Sequence, residues 1–119
     1  MIRDTIKKHQ DFITDGTMPS ARSAFFLVRV KPTKFPGDAR YGVVATKRIF
    51  RHAVDRNRAK RLLRDWIAAY ETLLDPEKDY IFVARPDILK AQREVGRFAM
   101  YKALRFLLKH DWNGDNVAE

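Results

Sequence analysis

The spacing of apolar residues changes several times along the chain, and each change marks an element. Between Thr5 and Asp15, Ile6, His9 and Ile13 fall on one stripe with Phe12 adjacent, which predicts a short amphipathic helix ended by Gly16 and Pro19. Met18–Arg22 reads as a short edge strand. Ala24–Lys31 (AFFLVRVK) is aromatic and β-branched and predicts a strand. Alternation sets Phe26, Val28 and Val30 on one of its faces and Phe25, Leu27 and Arg29 on the other. Pro32, Pro36, Gly37 and Asp38 predict a loop, and Arg40–Lys47 (RYGVVATK) the next strand. From Ala53 to Leu74 the period becomes helical: Ala59, Leu62, Leu63, Trp66, Ile67, Tyr70, Leu73 and Leu74 share one side, and Asp75 and Pro76 stop the run. Asp79–Arg85 (DYIFVAR) predicts a short apolar strand. After Pro86, a last helix is expected to bury Ile88, Ala91, Val95, Phe98, Leu104, Leu107 and Leu108. The order α-β-β-β-α-β-α describes an α+β domain with helices packed on a sheet. Residues 1–112 read as one domain. Residues 113–119 lack apolar periodicity and read as a disordered tail.

Charge changes this picture more than composition does. The chain has 119 residues, enough for one core, and carries 24 Lys and Arg against 15 Asp and Glu, a net charge of +9. A small domain this basic is expected to meet a polyanion, because clustered cations release counterions from phosphates. Cysteine is absent, which excludes disulfides, thiolate catalysis and Cys-ligated zinc. No apolar run reaches membrane-spanning length and Met1–Gln10 has no signal-peptide core, so the sequence reads as a soluble cytoplasmic protein without a membrane partner.

The positive charge concentrates in Lys47–Arg64 (KRIFRHAVDRNRAKRLLR). At about 100° per residue, Arg56, Lys60 and Arg64 form a ridge beside the apolar stripe, with Asn57 and Arg61 in a second ridge next to it. The pairs Arg56–Lys60 and Lys60–Arg64 are like-charged and cost helix stability, so a merely solvated face does not account for them. Arg offers a planar fork of donors, Lys a compact charge and Asn an amide, a set suited to following an RNA backbone with little base reading. Trp66 and Tyr70 lie on the apolar stripe and are assigned to the core. Protein catalysis finds no support. His9, His52 and His110 lie far apart, the acidic residues show no metal-ligand spacing, and Gly37, Gly42 and Gly96 sit singly rather than in a phosphate loop.

The run AVDRNRAKRLLRD resembles the signature of the bacterial ribonuclease P protein family, in which Arg-Asn-Arg is followed by a Lys-Arg pair and a further Arg. RYGVVATKR, the DF pair at Asp11–Phe12 and DYIFVAR at Asp79–Arg85 resemble the family's flanking pieces in the same order. The resemblance implies an αβββαβα two-layer sandwich with a mixed sheet and a left-handed crossover into the basic helix, a fold shared with domains of ribosomal proteins and elongation factor G. It implies a protein with no catalytic or metal-binding residues of its own. A catalytic RNA subunit with Mg²⁺, held by the RNA and substrate, removes the 5′ leader of precursor tRNA. One protein monomer per RNA assists it. By the same resemblance Arg56, Asn57, Arg58, Lys60, Arg61 and Arg64 face the catalytic RNA, and a cleft between the first helix and one sheet face takes the single-stranded leader. Phe12, Phe26, Val28, Val44 and Thr46 are expected in that cleft, with Lys47 and Arg48 as its basic rim. Gly16 stands where the family often has a second aromatic.

Two other readings compete. A structural RNA-binding protein of ribosomal type would share the basic face but has no need of a cleft at Phe12. A DNA reader using Ala53–Leu74 is disfavoured, because a strand rather than a helix-turn-helix precedes that segment.

Overall fold

The structure is a computed structural model that describes residues 3–4, 19–33, 37 and 40–109. The expected helix over Thr5–Asp15, with Phe12 and His9, lies outside the described residues, as do His110 and the expected tail. The described elements are β1 (Arg3–Asp4), β2 (Ser20–Arg22), β3 (Phe26–Pro32), β4 (Arg40–Val44), α1 (Ala53–Ala69), β5 (Lys78–Ala84) and α2 (Arg93–Leu108), with 3₁₀ turns at Glu71–Leu73 and Pro86–Lys90. The strands form a mixed sheet in the order β1-β4-β5-β3-β2. β5 is antiparallel to β3 and parallel to β4, and α1 lies between the two parallel strands in the chain.

Register decides which side chains meet. Val28, Phe82 and Val43 lie in one row across β3, β5 and β4, and Val30, Tyr80 and Tyr41 in the next. All six are buried, together with Phe26 and Ala84. Against this face α1 sets Ala59, Leu63, Trp66 and Ile67 and α2 sets Met100, Ala103, Leu104 and Leu107, in one continuous core. The apolar stripe read from the sequence of α1 is therefore the buried one, and Trp66 is wholly enclosed, with the rings of Phe25 and Phe26 at 6.0 and 6.4 Å. Arg40 at the start of β4 donates to both carboxylate oxygens of Asp79 in β5, at 3.1 and 2.6 Å. Asp79 is the one buried charged residue among those described.

Several expectations shift. β1 was not expected, since two residues are too short to show a pattern; it pairs parallel with β4. β4 stops at Val44 rather than Lys47, because the Thr46 carbonyl accepts the amides of Ile49 and Phe50 at 3.2 and 2.8 Å and turns the chain. α1 ends at Ala69 and passes through a 3₁₀ turn to Leu74. Pro86 opens a 3₁₀ turn rather than the helix, and α2 begins only at Arg93. Val95, Phe98 and Leu108, expected inside, are exposed, because the buried stripe of α2 runs through Gly96, Met100, Ala103 and Leu107 instead.

Candidate nucleic-acid interface

Turn and helix are fastened together before they present any charge. Phe50 is buried and anchors the turn that follows β4. One turn into α1, Arg56 Nη1 donates to the carbonyl of Phe50 at 2.9 Å and to that of Arg51 at 3.3 Å. These carbonyls precede the helix, so the guanidinium locks the turn onto its first residues. Lys47, Arg48, Arg51 and His52 are left exposed in front of α1. Arg51 and His52 were absent from the sequence-based site. Their signal was there in Lys47–Arg64, but no periodicity applies to a turn.

On α1 itself Asn57, Arg58, Arg61 and Arg64 are exposed, while Arg56 and Lys60 are half-buried. The difference follows from helix geometry: positions 56 and 60 flank the buried stripe through Leu63 and Ile67, whereas 57 and 61 point away from it. The long stems of Arg56 and Lys60 cover apolar surface while their charged ends reach the rim. Val54 is largely exposed beside these cations and gives the face an apolar point that charge counting had not marked. Asp65, one turn after Arg61, pairs with Arg97 of α2 at 3.3 Å, so its charge is directed toward α2. The result is a preformed basic surface built from a fixed turn and one helix face. Among the described residues no group of three or more His, Asp or Glu stands close enough to hold a metal ion.

The opposite sheet face corrects the expected cleft. Phe26 and Val28 are both 0% exposed and lie under α1 and α2, so neither offers surface to a nucleic acid. They do not share a face with Val44. The register sets Val44 beside Val83, which in turn lies beside Leu27. Arg29, Ile81 and Gly42 form the adjoining row of that second face. Leu27, Arg29, Val44 and Val83 are half-buried there. The physical reason is the two-residue side-chain period, which divides the strand correctly but does not say which half the helices cover. Thr46 is exposed beyond the end of β4; its hydroxyl accepts the Ile49 amide at 3.3 Å. Phe12 lies outside the described residues.

The ribonuclease P family profile matches residues 3–109. The chain is similar to the ribonuclease P protein component of Nitratiruptor sp., with 37% identity over 90 residues, 76% of this chain and 78% of the relative. It is equally similar to that of Caulobacter vibrioides, 37% over 84 residues, covering 69% of this chain but only 56% of the relative. The chain thus spans little more than half the length of that relative. Among solved structures, the fold matches the Staphylococcus aureus RNase P protein with a TM-score of 0.68 at 24% identity, over 86% of this chain and 93% of that one. It matches the Thermotoga maritima RNase P protein with a TM-score of 0.59 at 21% identity, over 77% and 82%.

Proposed function

Since the chain belongs to the ribonuclease P protein family, we propose that it is the protein subunit of a ribonucleoprotein endoribonuclease that removes the 5′ leader from precursor tRNA. The observation that carries this is the basic surface of α1 and the turn before it, held in shape by the Arg56 bonds to Phe50 and Arg51. A preorganised row of cations binds a folded RNA without first being ordered, so little affinity is spent on fixing side chains. Arg56, Asn57, Arg58, Lys60, Arg61 and Arg64 hold the catalytic RNA. Arg61 and Arg64 do so through phosphates, and Arg56 both binds and keeps the turn in place. The chemistry belongs to the RNA, and Mg²⁺ to the RNA and the substrate. The protein's part is to screen phosphate repulsion where RNA and substrate meet.

The leader goes to the second sheet face, where Leu27, Val44 and Val83 supply apolar surface and Lys47 and Arg48 lie past the end of β4. A single strand needs both a basic track and a surface for its bases. Phe12 belongs to the same cleft in this reading.

The test adds the purified chain to a bacterial ribonuclease P RNA and measures precursor tRNA cleavage as Mg²⁺ is lowered. Cleavage at the leader junction is expected to persist at Mg²⁺ concentrations where the RNA alone is inactive, and the protein alone is expected to cleave nothing. No change in the Mg²⁺ requirement, or specific cleavage by RNA-free protein, overturns the reading.

A further inference from the structure

The outward face of α2 has no part in that reading. Phe98 is 59% exposed, with Lys102 Nζ 5.4 Å from its ring centre. The Arg105 guanidinium lies 5.8 Å from the ring centre of Tyr101, which is also exposed. Lys109 follows Arg105 at four-residue spacing and is exposed too. Glu94, at the first turn, is the only acidic residue of α2. Each cation covers part of its ring and leaves the rest to solvent, so aromatic surface and positive charge are interleaved at about one cation per turn. Beside this face a groove of about 780 Å³ runs between α2 and the edge strand β2, with Ala21, Ala99 and Ala103 among its walls and Arg22 and Lys102 contributing charge.

We propose that this face of α2, with the β2 groove, binds a single-stranded segment of RNA, its phosphates along Lys102, Arg105 and Lys109 and its bases against Phe98 and Tyr101. The proposal rests on the reading of the protein as one that works on RNA, and adds a third contact surface to those on α1 and on the second sheet face. Aromatic rings interleaved with cations are what an unpaired strand requires, since every base has a stacking face and every linkage a charge. A second copy of the chain fits less well. A two-fold contact on this face would set Lys102, Arg105 and Lys109 against their own equivalents. The surface is also distinct from the one on α1. The two helices meet at Asp65–Arg97, Trp66–Gly96 and Tyr70–Tyr101. The α1 cations precede this contact along their helix, and the α2 cations follow it along theirs.

Binding of a fluorescein-labelled oligouridylate to the full chain tests the assignment. Phe98→Ala is expected to raise the Kd roughly 5- to 10-fold, the lower end of the range for one stacked base. Phe98→Trp is expected to retain binding. Lys102→Gln with Arg105→Gln is expected to lower the salt slope by about 1.4, for two phosphate contacts on a single strand. Affinity for ribonuclease P RNA, measured beside it, is expected to fall most with Arg61→Gln. Melting curves establish that each variant is folded. Wild-type oligouridylate binding in folded α2 variants overturns the inference and leaves the cleavage test of the proposed function standing by itself. Self-association of the wild type that Phe98→Ala abolishes also overturns it, by giving the surface to a second copy.

Discussion

Gly96 of α2 lies directly against the indole ring of Trp66 in α1. A Cβ built at Gly96 would collide with three carbons of that ring, the farthest, Cη2, at 2.6 Å. The wholly buried indole has no room to retreat, since Phe25 and Phe26 pack on it from the sheet side. The absent side chain therefore sets how closely the two helices approach.

Gly96→Ala is expected to destabilise the protein even though alanine is the better helix former. The propensity gain is about 1 kcal/mol. Overpacking a rigid core typically costs roughly 1–3 kcal/mol, and the severity of this collision places the change at the upper end. A net loss of about 1–2 kcal/mol would lower the Tm by several degrees. An unchanged or raised Tm in Gly96→Ala would show that the helices separate without cost.

Arg56 and Arg61 are expected to differ although both are cations on one helix. Arg61→Ala removes exposed charge, so it lowers the salt slope for RNA binding by up to about one unit and leaves the Tm nearly unchanged. Arg56→Ala also removes the bonds to the Phe50 and Arg51 carbonyls and is expected to cost about 1–2 kcal/mol of stability. Urea denaturation and salt-dependent binding of both variants separate the two roles. Asn57→Ala, which removes no charge, should weaken binding with little change in slope.

The sheet face chosen for the leader is tested by Val44→Glu. A carboxylate beside Val83, in the row that continues to Leu27, would repel the leader's phosphates and is expected to weaken precursor tRNA binding to the assembled enzyme roughly tenfold. Binding of mature tRNA, which lacks the leader, should not change. Phe12→Ala is expected to act in the same direction, by about 1 kcal/mol, with its melting curve taken as a control for folding. Equal losses for precursor and mature tRNA would move the leader elsewhere.

Tyr80 gives the stability a dependence on alkaline pH. Its hydroxyl accepts the Asp75 amide at 2.8 Å, and burial, the dominant cause, pushes its pKa up to about 12. An unfolded tyrosine ionises near pH 10. Between these values the unfolded chain gives up a proton that the folded chain keeps, so stability falls as pH rises through this window. The full difference is about 2–3 kcal/mol by pH 12. Tyr80→Phe should remove this part of the decline, while costing about 1 kcal/mol at neutral pH through the lost hydrogen bond. Parallel stability curves for wild type and variant above pH 10 would contradict the assignment.

The helical stripe through Leu63, Trp66 and Ile67 could be read in advance because burial there follows a single local period. So could the basic ridges beside it, which are the same helix seen from outside. The face of β3 that becomes the core could not, since alternation is symmetric until helices arrive from elsewhere in the chain. The helix-side role of Gly96 was hidden for the same reason: a lone glycine says that space is needed without saying for what. In α2, Phe98 looked like core because it is large and apolar, yet Gly96 turns the helix so that Phe98 faces out. The turn at Lys47–Ile49 depends on a carbonyl of Thr46 and leaves no mark in residue type.

The last strand of the sheet to be made is its middle one. β3 and β4 do not pair with each other; each finds its partner in β5, which ends at Ala84. During synthesis the basic segment of α1 therefore leaves the ribosome before the strand that joins the two halves of the sheet does. Until then Val28 and Val43 have no Phe82 between them, and the cations of α1 are displayed on a chain with no assembled core. A fragment that stops short of Lys78 keeps the cations of α1 but lacks the strand that joins the two halves of the sheet.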